Sequence, residues 1–183
     1  PTIVSYLPGG LGFIYLYHNG FTGAIPSTIS KFTNLWAFNV AGNQLTGDLA
    51  SIIGYLSTSA REISFFGNLL TGTIPSSIAN FTSLGILDVG YNNNLTGDMG
   101  TIIGYLPTGI EILGMGGNGF TGTIPSTIGD LIYLNVLGVE NNNLTGDMGT
   151  IISYLPTGIG QLYMGGNGFT GTIPVDIGDI MYL

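Results

Sequence analysis

Apolar residues occur in short alternating runs separated by glycine, asparagine and threonine. The runs return at a nearly constant interval. In Leu134-Asn135-Val136-Leu137-Gly138-Val139, residues Leu137 and Val139 share one side of an extended segment, because strand side chains alternate between faces. Ile14 and Leu16, Phe38 and Val40, Leu87 and Val89, and Leu113 and Met115 repeat the arrangement. Strand-like segments begin at Leu11, Leu35, Ala60, Leu84, Ile110, Leu134 and Ile159, spaced 24–26 residues apart. A unit of this size cannot bury such a face alone, but stacked units bury it as one continuous core. Stacking predicts parallel strands about 4.7–4.9 Å apart.

The units are close copies, as they must be if each presents the same surface to the next. GGNGFTGTIP occurs at 116–125 and again at 165–174, and residues 95–134 match 144–183 at 32 of 40 positions. The period of 49–50 residues splits in two, so odd and even units differ. Odd units read FTGAIP (21–26), LTGTIP (70–75), FTGTIP (120–125) and FTGTIP (169–174). Their prolines, Pro26, Pro75, Pro125 and Pro174, restrict the chain ahead of SSIANF- or STIGDL-like segments, which predict a turn of α- or 3₁₀-helix. Even units read LTGDLA (45–50), LTGDMG (95–100) and LTGDMG (144–149), followed by SIIGYL-like segments. Asn19, Asn43, Asn68, Asn92, Asn118, Asn142 and Asn167 form a column at the turn after each strand. An inward amide there is expected to pair backbone groups that the turn leaves open. Thr-Gly pairs at 22–23, 46–47, 71–72, 96–97, 121–122, 145–146 and 170–171 mark the next bend. One unit, with the run Asn92–Asn94, is a residue longer than the rest.

These residues resemble the leucine-rich repeat family, whose pattern LxxLxLxxNxL is matched by residues 134–144. The odd-unit continuation resembles the plant-type subclass with its LxGxIP signature. The even units depart from it by lacking the proline. The resemblance spans essentially the whole chain. It implies an α/β solenoid, a right-handed superhelix of about seven 24–25-residue repeats. A parallel β-sheet would line the concave face, with short helical or 3₁₀ turns on the convex face. Residues 1–183 read as a single solenoid with both ends in mid-repeat, hence as a segment of a longer array. Plant-type members mostly serve as receptor ectodomains or as inhibitors of secreted enzymes. The resemblance therefore implies a non-catalytic scaffold, extracellular or at the cell surface, that recognises a protein or glycan on its concave face. The cysteine-paired caps of related plant proteins are not matched here, since the chain has no cysteine.

Composition narrows the partners. Charged residues make up 7% of the chain, against roughly 25% in ordinary soluble domains. Lys31 and Arg61 are the only strong bases among ten acids, giving a net charge of -8. Nucleic acid is disfavoured, because phosphate binding needs clustered Lys and Arg. Every apolar run is interrupted far short of the roughly 20 residues of a membrane span. No cofactor loop is expected: GMGGNG at 114–119 belongs to a strand and its turn, not to a strand–loop–helix unit. No metal site is expected either. Asp48, Asp98 and Asp147 recur two rungs apart, roughly 10 Å, too far to share a calcium ion. They read as solvated or turn-capping residues.

The outward strand positions carry the candidate ligand site. Phe13, Tyr15 and Tyr17 form an aromatic group beside His18, the single histidine, and Phe66 and Tyr163 occupy equivalent outward positions in later units. Buried aromatic anchors dominate many interfaces. Three sequons, at Asn80, Asn94 and Asn143, are candidate N-glycan sites. Tyr6, Tyr55, Tyr105 and Tyr154 form a convex column, open to a neighbouring molecule or to packing among themselves. Two other readings stand beside the scaffold. Near-identical units and low charge suit a self-assembling structural glycoprotein of filaments or surface layers, joined through uncapped ends. The threonine column, with Thr73, Thr123 and Thr172 beside it, suits an ice-binding hydroxyl ladder.

Overall fold

The computed structural model describes residues 6–173. Among them the chain coils into seven turns, and every turn contributes one strand to each of two parallel sheets. The first sheet comprises β1 (Phe13–Tyr15), β3 (Ala37–Asn39), β5 (Glu62–Ser64), β7 (Ile86–Asp88), β9 (Ile112–Gly114), β11 (Val136–Gly138) and β13 (Gln161–Tyr163), in that order. Register is uniform: Ile14 faces Phe38, Phe38 faces Ile63 and Ile63 faces Leu87. These strands begin two residues after the apolar positions that announce them. Leu35, Leu84 and Leu134 lie just upstream, fully buried.

The second sheet is not anticipated by the sequence, which reads the Thr-Gly pairs only as bends. It is built from β2 (Thr22–Ala24), β4 (Gln44–Asp48), β6 (Leu69–Gly72), β8 (Asn94–Asp98), β10 (Gly119–Gly122), β12 (Asn143–Asp147) and β14 (Gly168–Thr170). The glycine of each Thr-Gly pair has positive φ, from +80° at Gly23 to +141° at Gly97. The bend is therefore built inside the strand, at a conformation that favours glycine.

Odd and even turns close differently, as the alternation implies. After Pro26, Pro75 and Pro125 come 3₁₀ helices Ser27–Lys31, Ser76–Asn80 and Ser126–Asp130, each opened by a bond such as Ile29 N–H to the Pro26 carbonyl. After β4, β8 and β12, in the even turns, come α-helices Leu49–Tyr55, Met99–Ile103 and Met148–Tyr154. Asp48, Asp98 and Asp147 are their N-caps. Each carboxylate accepts the backbone N–H and the hydroxyl of Ser51, Thr101 or Thr150, at 2.7–2.9 Å. This satisfies donors that a helix start leaves open.

The core runs the length of the stack between the two sheets and the helices, with Phe38, Ile63, Leu87, Leu113 and Leu137 forming one buried row. Tyr55, Tyr105 and Tyr154 pack partly buried against it, whereas Tyr6 is exposed. The asparagine column does more than close its own turn. Asn68 Nδ2 donates to Phe65 O in its own unit and to Val40 O in the preceding one, both at 3.0 Å, while Oδ1 accepts Leu45 N–H at 3.0 Å. Asn43, Asn92, Asn118, Asn142 and Asn167 repeat this inter-unit bridge. Asn19 is exposed and bonds only Leu16 and Tyr17 of its own turn. The inserted residue falls at Asn93, held at φ +67°. There the bond from Leu95 N–H to Asn118 stretches to 3.4 Å. Pro174, the expected end segments and both mid-repeat ends lie outside the described residues.

Candidate functional site

Along the first sheet, alternation sends every second side chain outward. The first turns place there the bulkiest exposed group of the described residues. Phe13 and Tyr15 stack at 6.4 Å, Tyr15 meets Tyr17 edge-on at 6.4 Å, and Tyr17 meets His18 at 5.7 Å. Phe13, Tyr15 and Tyr17 are about half exposed. Four of the sequence-predicted residues therefore come together. Trp36, whose ring lies 5.3 Å from Phe13, extends the patch. It precedes β3 and falls outside the alternating outward set, so periodicity does not select it.

Polar contacts hold the patch. Glu62 accepts the Tyr15 hydroxyl on Oε2 and the Asn39 amide on Oε1, both at 3.1 Å. Partial burial, and then the Glu62 carboxylate, raise the Tyr15 phenol above its ordinary pKa. Phe66 lies farther along the sheet and pairs with Tyr91 at 5.2 Å. Between Phe66 and the first patch opens a cavity of about 360 Å³, lined by Tyr17, His18, Asn39, Ala41, Ser64, Phe66 and Asp88. Tyr163 stands apart near the far end of the sheet, its hydroxyl bonded to Gln161.

A column of left-handed residues follows the first-sheet strands, and the sequence gives no sign of it. Gly42, Gly67, Gly117 and Gly166 occupy it, but so do His18 (φ +52°), Tyr91 (φ +54°) and Asn141 (φ +53°). Their N–H groups continue the ladder, as His18 to Ala41 O and Tyr91 to Gly116 O. A bulky side chain there is a conformational outlier, costing about 1 kcal/mol or more where glycine would not.

Two carboxylates stand over the middle turns. Asp88 Oδ1 accepts Gly90 N–H at 3.0 Å. Burial, and to a lesser degree the charge of Glu140, push its carboxyl above the usual range. Glu140 leans over Gly116, and its Oε2 is buried without a hydrogen-bond partner. A Cβ at Gly114 would meet Asp88, and one at Gly116 would meet Glu140. The bare glycine floor is what admits both acids. Arg61 is paired with Glu111 at 3.0 Å, and the Lys31 Nζ lies 5.1 Å from the Phe32 ring centre.

The second sheet presents Thr22, Thr46, Thr71, Thr96, Thr121, Thr145 and Thr170, all exposed. Register sets the capping carboxylates Asp48, Asp98 and Asp147 opposite Thr71, Thr121 and Thr170, so the hydroxyl ladder is interrupted by charge. No group of three or more His, Cys, Asp or Glu able to hold a metal occurs among the described residues. None of their helices is long and apolar enough to cross a membrane. Asn80, Asn94 and Asn143 are exposed.

Residues 109–131 match the Leucine Rich Repeat family. Comparison with curated protein sequences finds no significant match. Among solved structures, the chain is similar to the leucine-rich repeat ectodomain of the plant membrane receptor kinase GASSHO1/SCHENGEN3 from Arabidopsis thaliana, crystallised with CASPARIAN STRIP INTEGRITY FACTOR 2. That likeness has 29% identity and a TM-score of 0.76, over 96% of this chain and 20% of that one. It is also similar to the Arabidopsis receptor kinase HAESA, solved with the peptide hormone IDA and the co-receptor SERK1, at 28% identity and TM-score 0.74 over 91% and 28%. A leucine-rich repeat protein of Leptospira interrogans gives 29% identity and TM-score 0.64 over 86% and 38%. The chain spans 20–38% of the length of these three structures. The stacked turns, their asparagine bridges and these likenesses agree: the chain is a leucine-rich repeat protein, structurally like plant leucine-rich repeat receptor ectodomains.

Proposed function

We propose that the chain is a non-catalytic, extracellular recognition scaffold that docks a protein or peptide partner on its first-sheet face. One observation carries this reading: Phe13, Tyr15, Tyr17 and Trp36 are exposed together on a sheet whose rungs are locked in register. A rigid array of large aromatics binds without ordering its own backbone. GASSHO1/SCHENGEN3 and HAESA, to which the fold is similar, were solved with a bound factor and a peptide hormone.

N-glycans on Asn80, Asn94 and Asn143 fit the same reading. Asn94 and Asn143 open strands of the second sheet. Glycans there would cover that sheet and leave the first face free.

The test is a selection of random dodecamer peptides on the immobilised chain, followed by competition with a Tyr15→Ala/Tyr17→Ala variant. Peptides that bind the parent and lose binding to the variant are expected. Binders indifferent to both substitutions would remove the site assignment.

A further inference from the structure

The pocket beyond the aromatic patch differs from it in chemistry. It is an open groove of about 360 Å³ flanked by the rings of Tyr17, His18 and Phe66, with one acid, Asp88, at its end. Tyr91 packs on Phe66 and is held in the left-handed column that neighbouring turns fill with glycine. A tyrosine costs stability at that position and glycine would not, so folding alone does not account for it. Past Asp88 the surface drops to the Gly114 and Gly116 floor, with Glu140 on the far side and its Oε2 unpartnered. No lysine or arginine reaches in to neutralise this stretch: Arg61 is committed to Glu111, and Lys31 belongs to the 3₁₀ segment Ser27–Lys31.

Aromatic faces beside a carboxylate select a flat cation. A guanidinium stacks on the ring faces and donates two parallel hydrogen bonds to a carboxylate. An ammonium ion makes only point contacts. The charge balance agrees, since a chain of net charge -8 attracts cationic segments. We infer that this pocket seats an arginine side chain of an extended peptide partner, with the guanidinium between Phe66 and Asp88 and Glu140 the next acid along the track. This rests on the scaffold reading and names the chemistry of the partner.

The probe is the tripeptide acetyl-Gly-Arg-Gly-amide, with its citrulline counterpart as an uncharged isostere, titrated against the full chain and followed by amide NMR shifts. The arginine peptide is expected to move Phe66, Asp88, Gly90 and Gly116 signals, and the citrulline peptide is not. Asp88→Asn keeps the oxygen that accepts Gly90 N–H and is expected to weaken binding about tenfold or more. Tyr91→Gly restores the residue type of the column. It is expected to raise the melting temperature while weakening binding, a pairing that a purely structural tyrosine would not give. Equal shifts from arginine and citrulline peptides, or affinity unchanged in Asp88→Asn, would overturn the inference. If dodecamers still bind through Tyr15 and Tyr17 while the arginine probe moves nothing, this inference alone falls. If neither binds, the scaffold reading falls with it.

Discussion

Replacing Asn68 by alanine tests whether the asparagine column holds the turns together or merely fits between them. Asn68 is buried. Its Oδ1 accepts Leu45 N–H, and its Nδ2 donates to Val40 O and Phe65 O. The two carbonyls keep a partner after the change, since Asn43 also donates to Val40 O and Asn92 to Phe65 O. The Leu45 N–H loses its acceptor inside the core. An unpaired buried donor costs about 1–3 kcal/mol, and each weakened carbonyl contact adds roughly 0.5–1 kcal/mol. The expected loss is about 3 kcal/mol, a fall in melting temperature of roughly 6–12 °C. Asn19→Ala is the control. It is exposed and bonds only its own turn, so a loss within about 0.5 kcal/mol is expected. Thermal melting measures both, and hydrogen exchange at Leu45 reports the orphaned amide directly. Equal melting of the two variants, with Leu45 still protected, would refute the bridge argument and leave apolar stacking as sufficient. Turns couple only to their neighbours, so a broadened or two-step transition in Asn68→Ala also fits a severed bridge.

Five further outcomes follow. Asp48→Ala removes a helix cap and should cost about 1 kcal/mol, with Asp48→Asn restoring most of it, read by urea denaturation. The cap bonds hold Asp48, Asp98 and Asp147 below the usual carboxylate range: for Asp48 the Ser51 hydroxyl leads, and for the others the backbone N–H of Thr101 and Thr150. Their contribution is therefore present above about pH 4 and is lost as pH falls through the lowered values, which an acid titration of stability should show. Asp88 has the opposite sign, because its raised pKa makes the charged form unfavourable in the folded chain. Asp88→Asn should thus melt higher at neutral pH and lose that advantage in acid, where Asp88 is itself protonated. Gly97→Ala should cost roughly 2 kcal/mol, since Gly97 has φ +141° and a Cβ would lie 2.5 Å from Thr73 Oγ1, whereas exposed Gly54→Ala, with open space around it, should be neutral or stabilising. Expressed through a eukaryotic secretory pathway, the chain should lose mass on glycosidase treatment in steps that vanish with Asn80→Gln, Asn94→Gln and Asn143→Gln.

The sequence by itself determined the unit and its stacking. An apolar pair every 24–26 residues, an asparagine at each turn and a proline that sets odd units apart from even ones are local signals, and each copy repeats them, whereas the split between 3₁₀ closure after the prolines and α closure after the aspartates emerged only in the folded chain. The outward aromatics of the first turn were legible for the same reason, because strand alternation is a property of neighbours in the chain. What tertiary structure alone decided depends on contacts between turns. Thr-Gly bends became a second sheet only when seven of them lay side by side. Trp36 joined Phe13, Tyr91 joined Phe66, and Asp88 and Glu140 came to face one glycine floor across residues far apart in sequence. No periodicity encodes which side chains of successive rungs lean together. That is set by the rise from one turn to the next and by the left-handed corner that aims His18 and Tyr91.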